Sequence, residues 1–474
     1  MGKSFKVDDL WQEDVASLAS RLDEKDITPV QLLEMYLARC DRLQPVLNAF
    51  TLIDRKGARA AAEMAGQRQA SGQRLGPLDG IPVCIKDNLF VSGLPAEWGS
   101  LMLKGFVPRQ DDICVERLRA AGATIVGKTT TPEFALSGRT ENRTTGTTRN
   151  PWNPALTPGG SSGGAVAAVA AGMVPLAIGT DAGGSTRMPA SYTGLVGLRP
   201  SNGRIPRRYG FLPMALDFQA IGVIARTTRD LELLFKAVSG PDARDPASLA
   251  LAAPSRTAKP RRLGWFTSIA GETASTEVVA SHAEALQHLQ AAGYVMAQCD
   301  PPFDLGEISA LWGVLTAVGA ARAARKYSDQ WKADATSQIA GLVEQGLKTP
   351  AADYVDALDR LQTFRNDTSA KWGDFDALIL PVNPVPAWPV ETDHPTQVDG
   401  RPLSASAQGM YCGWVNAMGY GGISVPGRPG SGGLPIGVQI VAPPAADDII
   451  IEIAHCLERA APWRDRWPAL AHAG

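Results

Sequence analysis

The stretch NPWNPALTPGGSSGGAVAAVAAGMVPLAIGTDAGGSTR, residues 150–187, governs how the rest of this chain is read. Asn150 through Thr180 is a run of 31 residues without a charge, in a chain that is 20% charged. Within it, Ala165–Ala171 reads as a helix of small residues able to pack closely on other backbone, and Val174–Ile178 as a buried strand. Two serine- and glycine-rich loops edge this dry region, Thr157–Gly164 and Gly179–Arg187. Ser185 follows Gly183 and Gly184, so its Oγ and the neighbouring N–H groups can face one open spot. Consecutive backbone N–H groups in such a turn form an anion-binding nest, which suits the oxyanion of a tetrahedral intermediate. The reading is a buried serine nucleophile, Ser185, beside backbone donors.

A serine nucleophile needs a base. The five histidines are His282, His288, His394, His455 and His472, so none lies in the first 281 residues. The nearer base is a lysine. Lys86 ends the strand-like run Ile81-Pro82-Val83-Cys84-Ile85-Lys86, whose apolar residues would desolvate it. Burial disfavours the ammonium form and draws a lysine toward roughly pKa 7–8, where it can work as a general base. Taken alone, Lys86 reads better as an ion-pair partner of Asp87 or Asp181, and the two loops as turns and helix caps.

Glycine gathers in the same parts of the chain. Residues 76–213 hold 21 of the 48 glycines and residues 409–437 hold 10, leaving 17 for the other 307 residues. Glycine is needed where φ is positive or where something must approach backbone closely. Gly and Pro together make 83 of 474 residues, short of the roughly 25–30% that marks low-complexity sequence. With 45% hydrophobic residues, the composition is that of a globular chain with a large core.

A net charge of −2, no basic run and no acidic tail argue against a nucleic-acid partner. The longest apolar stretch, Ala165–Ile178, is shorter than the roughly 20 residues of a membrane span, and Gly172 and Pro175 interrupt it. The N-terminal MGKSFKVDDLWQEDV has no apolar core of a signal peptide, and Lys6 breaks the myristoylation pattern. The six cysteines are scattered with no CxxC spacing, which reads as reduced thiols in the cytoplasm. No HExxH is present, and neither a metal nor a cofactor is expected.

Along the chain, residues 29–44, 55–70, 111–121, 227–238, 275–293, 307–326, 351–371 and 447–460 read as helices. Strand signals fall at 81–87, 123–126, 174–178, 195–198, 377–380, 423–425 and 436–441. A Pro/Ala/Ser-rich stretch at 240–260 reads as an exposed connection. Alternation of strands and helices on both flanks predicts an α/β class. One domain spanning 1–474 is expected. It would comprise an N-terminal helical region (1–75), a catalytic core (76–230), a variable helical insert shaping the substrate pocket (265–372), and C-terminal strands with a helix completing the sheet (373–474).

Two further motifs compete with this reading. Gly122–Thr129 fits the phosphate-loop pattern GxxxxGK[ST], with Lys128 as its lysine. Here a helix precedes the first glycine, the intervening residues are strand-like, and Pro132 follows where a helix should be under way. Gly160-Ser161-Ser162-Gly163-Gly164 fits a nucleophile elbow centred on Ser162, but a Pro/Gly turn rather than a strand leads into it. The histidines such a hydrolase would need lie on predicted helices and read as exposed helix-face residues.

These residues together resemble the amidase signature family. The resemblance runs through Leu78-Asp79-Gly80-Ile81-Pro82…Lys86-Asp87, Gly127-Lys128-Thr129…Pro132-Glu133-Phe134, Asn150-Pro151-Trp152-Asn153, Gly159–Gly164 and Gly179–Arg187. It returns at Phe375–Leu378, Ile423–Pro426 and Gly433–Val441. It implies a single domain with a central mixed sheet covered by helices on both faces. It also implies a Ser–cis-Ser–Lys triad: Ser185 as nucleophile, Ser161 as bridging serine after a cis peptide, and Lys86 as base. The N–H groups of Ala182, Gly183, Gly184 and Ser185 would form the oxyanion hole. Thr130, Thr186 and Gly421-Gly422 depart from the family pattern, and they bear on pocket shape.

The implied activity is hydrolysis of a carboxamide C–N bond, with esters, anilides and carbamates as further substrates. The expected partner is a small-molecule substrate, with no nucleic acid and no membrane, and the chain would act as a monomer or homodimer. The alternative is an amidotransferase A-type subunit that hydrolyses glutamine for a partner enzyme. Nucleotide binding through Gly122–Thr129 is a remote alternative.

Overall fold

The segments that flank the two serine loops pair into one sheet. In the computed structural model, which describes residues 7–208, 210–250 and 261–472, this sheet has eleven strands. Their spatial order is Phe50–Ile53, Thr124–Thr129, Pro82–Lys86, Leu176–Asp181, Ala220–Ala225, Val196–Arg199, Gly421–Pro426, Gly437–Ala442, Ala377–Pro381, Arg262–Trp265 and Val295–Gln298. Pro82–Lys86 runs parallel to both neighbours, whereas the strands from Leu176–Asp181 to Ala377–Pro381 pair antiparallel. The sheet is therefore mixed. Residues 1–6, and the 251–260 part of the expected exposed connection, lie outside the described residues; Pro246–Leu249 forms a single helical turn.

The pleat sorts strand side chains to two faces. Val83, Ile85, Leu176, Ile178, Ile221 and Val223 join one core with Leu231 and Leu234 of the helix Thr228–Val238 and Ile450 and Ile453 of the helix Asp447–Ala460. Cys84, Ala177 and Ile224 point the other way, onto the small-residue helix Gly163–Ala170 and onto Leu33 and Leu37 of the helix Pro29–Leu47. Helices thus cover both faces of the sheet, the α/β architecture expected. Thr227 caps its helix as a threonine there should, its side chain accepting the Asp230 N–H at 3.1 Å.

Four strands of the sheet escape the sequence patterns, among them Phe50–Ile53, which adds a sheet strand to the region 1–75 expected to be helical. Ala220–Ala225 is buried at every position, so it shows no alternation, and it is too short to separate from other apolar runs. Arg262–Trp265 and Val295–Gln298 form one edge of the sheet, beside Ala377–Pro381. The segment between the core and the C-terminal strands is therefore part of the sheet as well as a set of helices. The helix Ser337–Lys348 also goes unread, although Thr336 caps it by accepting the Ile339 N–H. It packs on the long helix Leu305–Tyr327, and the pair forms part of the wall around the site described next.

Candidate active site

Parallel pairing puts the C-terminal ends of Pro82–Lys86 and Leu176–Asp181 side by side, with Ile85 opposite Ile178. Lys86 and Thr180 follow at those ends, the edge of a parallel pair where α/β proteins place ligands. Lys86 is fully buried, and its Nζ lies 2.8 Å from Ser161 Oγ, 3.0 Å from Ser162 Oγ and 3.0 Å from Thr180 Oγ1. Ser162 Oγ donates to Thr180 O at 3.2 Å, and Asn88 Nδ2 donates to Thr180 Oγ1 at 2.9 Å.

Neither carboxylate that could have claimed Lys86 does so. Asp87 lies 3.4 Å from Lys128, and Asp181 lies 2.8 Å from Arg187. Burial pulls the Lys86 amine down to about 7, against the opposing charge of Asp181.

The peptide between Gly160 and Ser161 is cis. A Cβ at Gly160 would lie 2.7 Å from Ser137 O, so only glycine lets that backbone come so near. The two serine loops are joined directly, because the Ser162 N–H donates to Ser185 O at 3.1 Å.

Asp181 organises the second loop. It accepts the Gly184 N–H at 2.8 Å, the Thr186 N–H at 3.1 Å and the Arg187 side chain at 2.8 and 3.0 Å. Asn416 and Gln439 hold the far side of the same guanidinium, each at 2.6 Å. Burial raises the pKa of Asp181, but the Arg187 charge and hydrogen bonds prevail and hold it well below the usual carboxylate range.

This corrects one expectation about the oxyanion site. The Gly184 N–H is aimed at a buried carboxylate behind the loop, and Gly184 does not line the cavity. Ala182, Gly183 and Ser185 do line it, and their N–H groups donate to no acceptor among the described residues.

The cavity has a volume of about 430 Å³. Ser161, Ser185 and Thr180 stand in its wall with Ala182 and Gly183, and apolar surface comes from Trp312, Trp414, Phe134, Met188, Met214 and Leu342. Gln219, Gln338 and Gln408 add polar groups, and among the described residues no Asp, Glu, Lys, Arg or His lines the wall. Among the described residues, no three His, Cys, Asp or Glu side chains converge as metal ligands would, and no helix is long and apolar enough to cross a membrane.

Residues 31–451 match the family model described as Amidase. The chain belongs to the amidase signature family. The A-type subunit of the glutamyl-tRNA(Gln) amidotransferase of Thermosynechococcus vestitus is 32% identical over 485 residues, an alignment covering 96% of this chain and 99% of that one. Among solved structures, a 6-aminohexanoate cyclic dimer hydrolase complexed with substrate is similar at TM-score 0.86 and 29% identity, covering 98% and 100% of the two chains. A bacterial aryl acylamidase of the amidase signature enzymes is similar at TM-score 0.88 and 26% identity, covering 98% and 99%.

In this amidase-family chain the structure brings together Lys86, Ser161 and the Ser185 loop, three parts that lie far apart in the sequence. Sequence reading missed two neighbours of Lys86. Ser162 entered only as a rival nucleophile, and Thr180 only as the end of an uncharged run; both are polar residues at the rim of a dry segment, the one signal that singles them out.

The competing motifs resolve differently. Thr124–Thr129 is a strand inside the sheet, and Lys128 is buried there with its Nζ 3.1 Å from Pro95 O. His282 is a correction: it is buried rather than exposed, its Nε2 lies 2.9 Å from Ile379 O, and burial lowers its pKa to about 4. Its helix packs across the sheet, so an inward histidine there completes packing instead of facing water.

Proposed function

We propose that this protein is an amidase that hydrolyses neutral carboxamides through an acyl-enzyme on Ser185. Lys86 is the base and Ser161 the relay. The single observation that carries the reading is the environment of Lys86 Nζ: three hydroxyl oxygens within 3.0 Å and burial that draws the amine to about 7. A neutral amine has two N–H bonds and one lone pair. Ser162 has its own proton committed to Thr180 O, so it accepts from Lys86, as Thr180 Oγ1 can. The lone pair is then left for the Ser161 hydroxyl proton.

Ser185 Oγ attacks the carbonyl carbon and gives its proton to Ser161 Oγ, which passes its own to Lys86. The carbonyl oxygen becomes an oxyanion held by the N–H groups of Ala182, Gly183 and Ser185. As the tetrahedral intermediate collapses, the C–N bond breaks and the nitrogen takes the proton from Ser161, replenished by Lys86. An amide nitrogen needs that proton because it leaves poorly as an anion. Water then attacks the ester, its proton returns along the same relay, and the carboxylate departs from regenerated Ser185. Esters, anilides and carbamates offer the same carbonyl and fall within this reading.

A second reading rests on the full-length similarity to an amidotransferase A-type subunit. Glutamine carries an α-ammonium and an α-carboxylate, and burying either without a partner is costly. A cavity wall with no charged side chain among the described residues supports a neutral amide over glutamine. We further place the protein in a reducing cytoplasm, which its six unpaired cysteines support, acting on a small molecule as a monomer or homodimer.

The test is a panel of acetamide, benzamide, acetanilide, a phenyl carbamate and glutamine, run on wild type and on Ser185→Ala. Turnover of neutral amides that disappears in Ser185→Ala is expected. Turnover of glutamine alone, and only with an added partner protein, would favour the second reading.

A further inference from the structure

Trp312 stands midway along the helix Leu305–Tyr327, where the sequence shows only an apolar face. Its ring reaches the loop that carries the reacting serine. A Cβ built on Gly183 would lie 3.2 Å from Trp312 Cη2 and 3.6 Å from two more atoms of the same six-membered ring. Behind it, the buried Phe218 stacks at 6.0 Å between centroids and 29° between planes. The indole is thus backed by Phe218. It is partly exposed, and what it faces is the cavity. Trp312 is thus a flat surface placed against one of the amides proposed to hold the carbonyl oxygen.

The three groups around a reacting carbonyl divide the site. Its oxygen faces the N–H groups of residues 182, 183 and 185, and its nitrogen faces Ser161, from which the leaving group takes its proton. The acyl substituent is left to the remaining side, where Trp312 covers Gly183 in a wall that Met214, Ile308 and Met188 also line. We infer that Trp312 is a specificity-determining residue that selects amides with a flat, uncharged aromatic acyl group, which packs against its ring. Aromatic pairs favour offset or edge-on contact, and an ionised acyl chain finds no counter-charge among the described residues of this wall. The inference rests on the amidase reading above, because it uses the orientation of the carbonyl in that reaction.

The experiment compares kcat/KM for benzamide, acetanilide and acetamide in wild type, Trp312→Ala and Trp312→Phe. Ratios between substrates within one preparation do not depend on how much of a variant folds. The benzamide-to-acetamide ratio should fall by about 10- to 100-fold in Trp312→Ala, the range set by lost apolar pocket contact, and should largely return in Trp312→Phe. An unchanged ratio in an active Trp312→Ala overturns this inference and leaves the amidase reading standing. A collapse confined to the acetanilide-to-acetamide ratio also overturns it, because the wall would then serve the amine side. Wild type inert toward all three amides would bring down the amidase reading and this inference together.

Discussion

The Ser162 N–H donates to the Ser185 carbonyl oxygen at 3.1 Å, while Ser162 Oγ lies 3.0 Å from Lys86 Nζ. One residue thereby ties the second serine loop to the first through its backbone and holds the buried amine through its side chain. The two halves of that residue can be separated by mutation. Ser162→Ala keeps the backbone link and removes only the oxygen. One N–H of Lys86 loses its partner, which costs about 1–3 kcal/mol. A fall in kcat of about 10- to 100-fold is expected, with labelling by a serine-directed fluorophosphonate retained. Ser185→Ala should abolish that labelling. Adduct formation mapped to Ser162 by peptide mass spectrometry would contradict the assignment of Ser185 as nucleophile.

The amine of Lys86 must be neutral to accept a proton. With its folded value near 7, kcat/KM should rise with pH as a single-proton limb centred about there. Lys86→Ala should lose about 10²–10⁴-fold in kcat/KM, the worth of a general base. Its residual rate should lack the limb near pH 7. A pH–rate profile of both proteins checks this, and a wild-type profile flat from pH 5 to 9 would rule Lys86 out as the base.

The same shift makes a statement about stability. Unfolded, Lys86 returns to its ordinary value of 10.5, so between about 7 and 10.5 the unfolded chain binds more protons than the folded one. Stability from this group therefore rises with pH across that window, and below about 7 its full penalty is present. Lys86→Met removes the titration. The Tm advantage of Lys86→Met over wild type should be largest at pH 7 and shrink toward pH 10, as followed by calorimetry. A difference independent of pH would show that the lysine does not titrate in this window.

Asp181 and Arg187 form a buried ion pair at 2.8 Å that also fixes the Gly184 amide. Asp181→Asn leaves the guanidinium buried without its counter-charge, at a cost of about 3–5 kcal/mol. Such a loss should be visible as a lower Tm, with kcat falling more than KM changes because the neighbouring amides lose their alignment. The folded pKa of Asp181 lies below its ordinary 3.8, so its contribution is fully present above pH 3.8 and is lost only as pH falls through the folded value. A stable, fully active Asp181→Asn would overturn this positioning role.

Much of the site was legible because its residues announce themselves by what is missing. The 31 uncharged residues ending at Thr180, and the absence of histidine before residue 282, point to a dry site served by Lys86. Strand and helix periods placed most elements, since each buries one face and shows the other. Ala220–Ala225 escaped because a fully buried strand has no alternation to read, and Phe50–Ile53, Arg262–Trp265 and Val295–Gln298 because each is four residues long and its burial does not alternate.

By itself the sequence determined the class of fold and the family, because local pattern and motif spacing encode them, and it singled out Ser185 and Lys86 as candidates, with Ser161 added by the family resemblance. Only the tertiary structure decided what each group touches. It gave Asp87 to Lys128 and Asp181 to Arg187, leaving Lys86 to three hydroxyls. It turned the Gly184 amide away from the cavity, and it set Trp312 over Gly183 from a helix more than a hundred residues away. The physical reason is that burial, ion pairing and hydrogen bonding depend on distances in space, and those are set when non-local strands and helices pack.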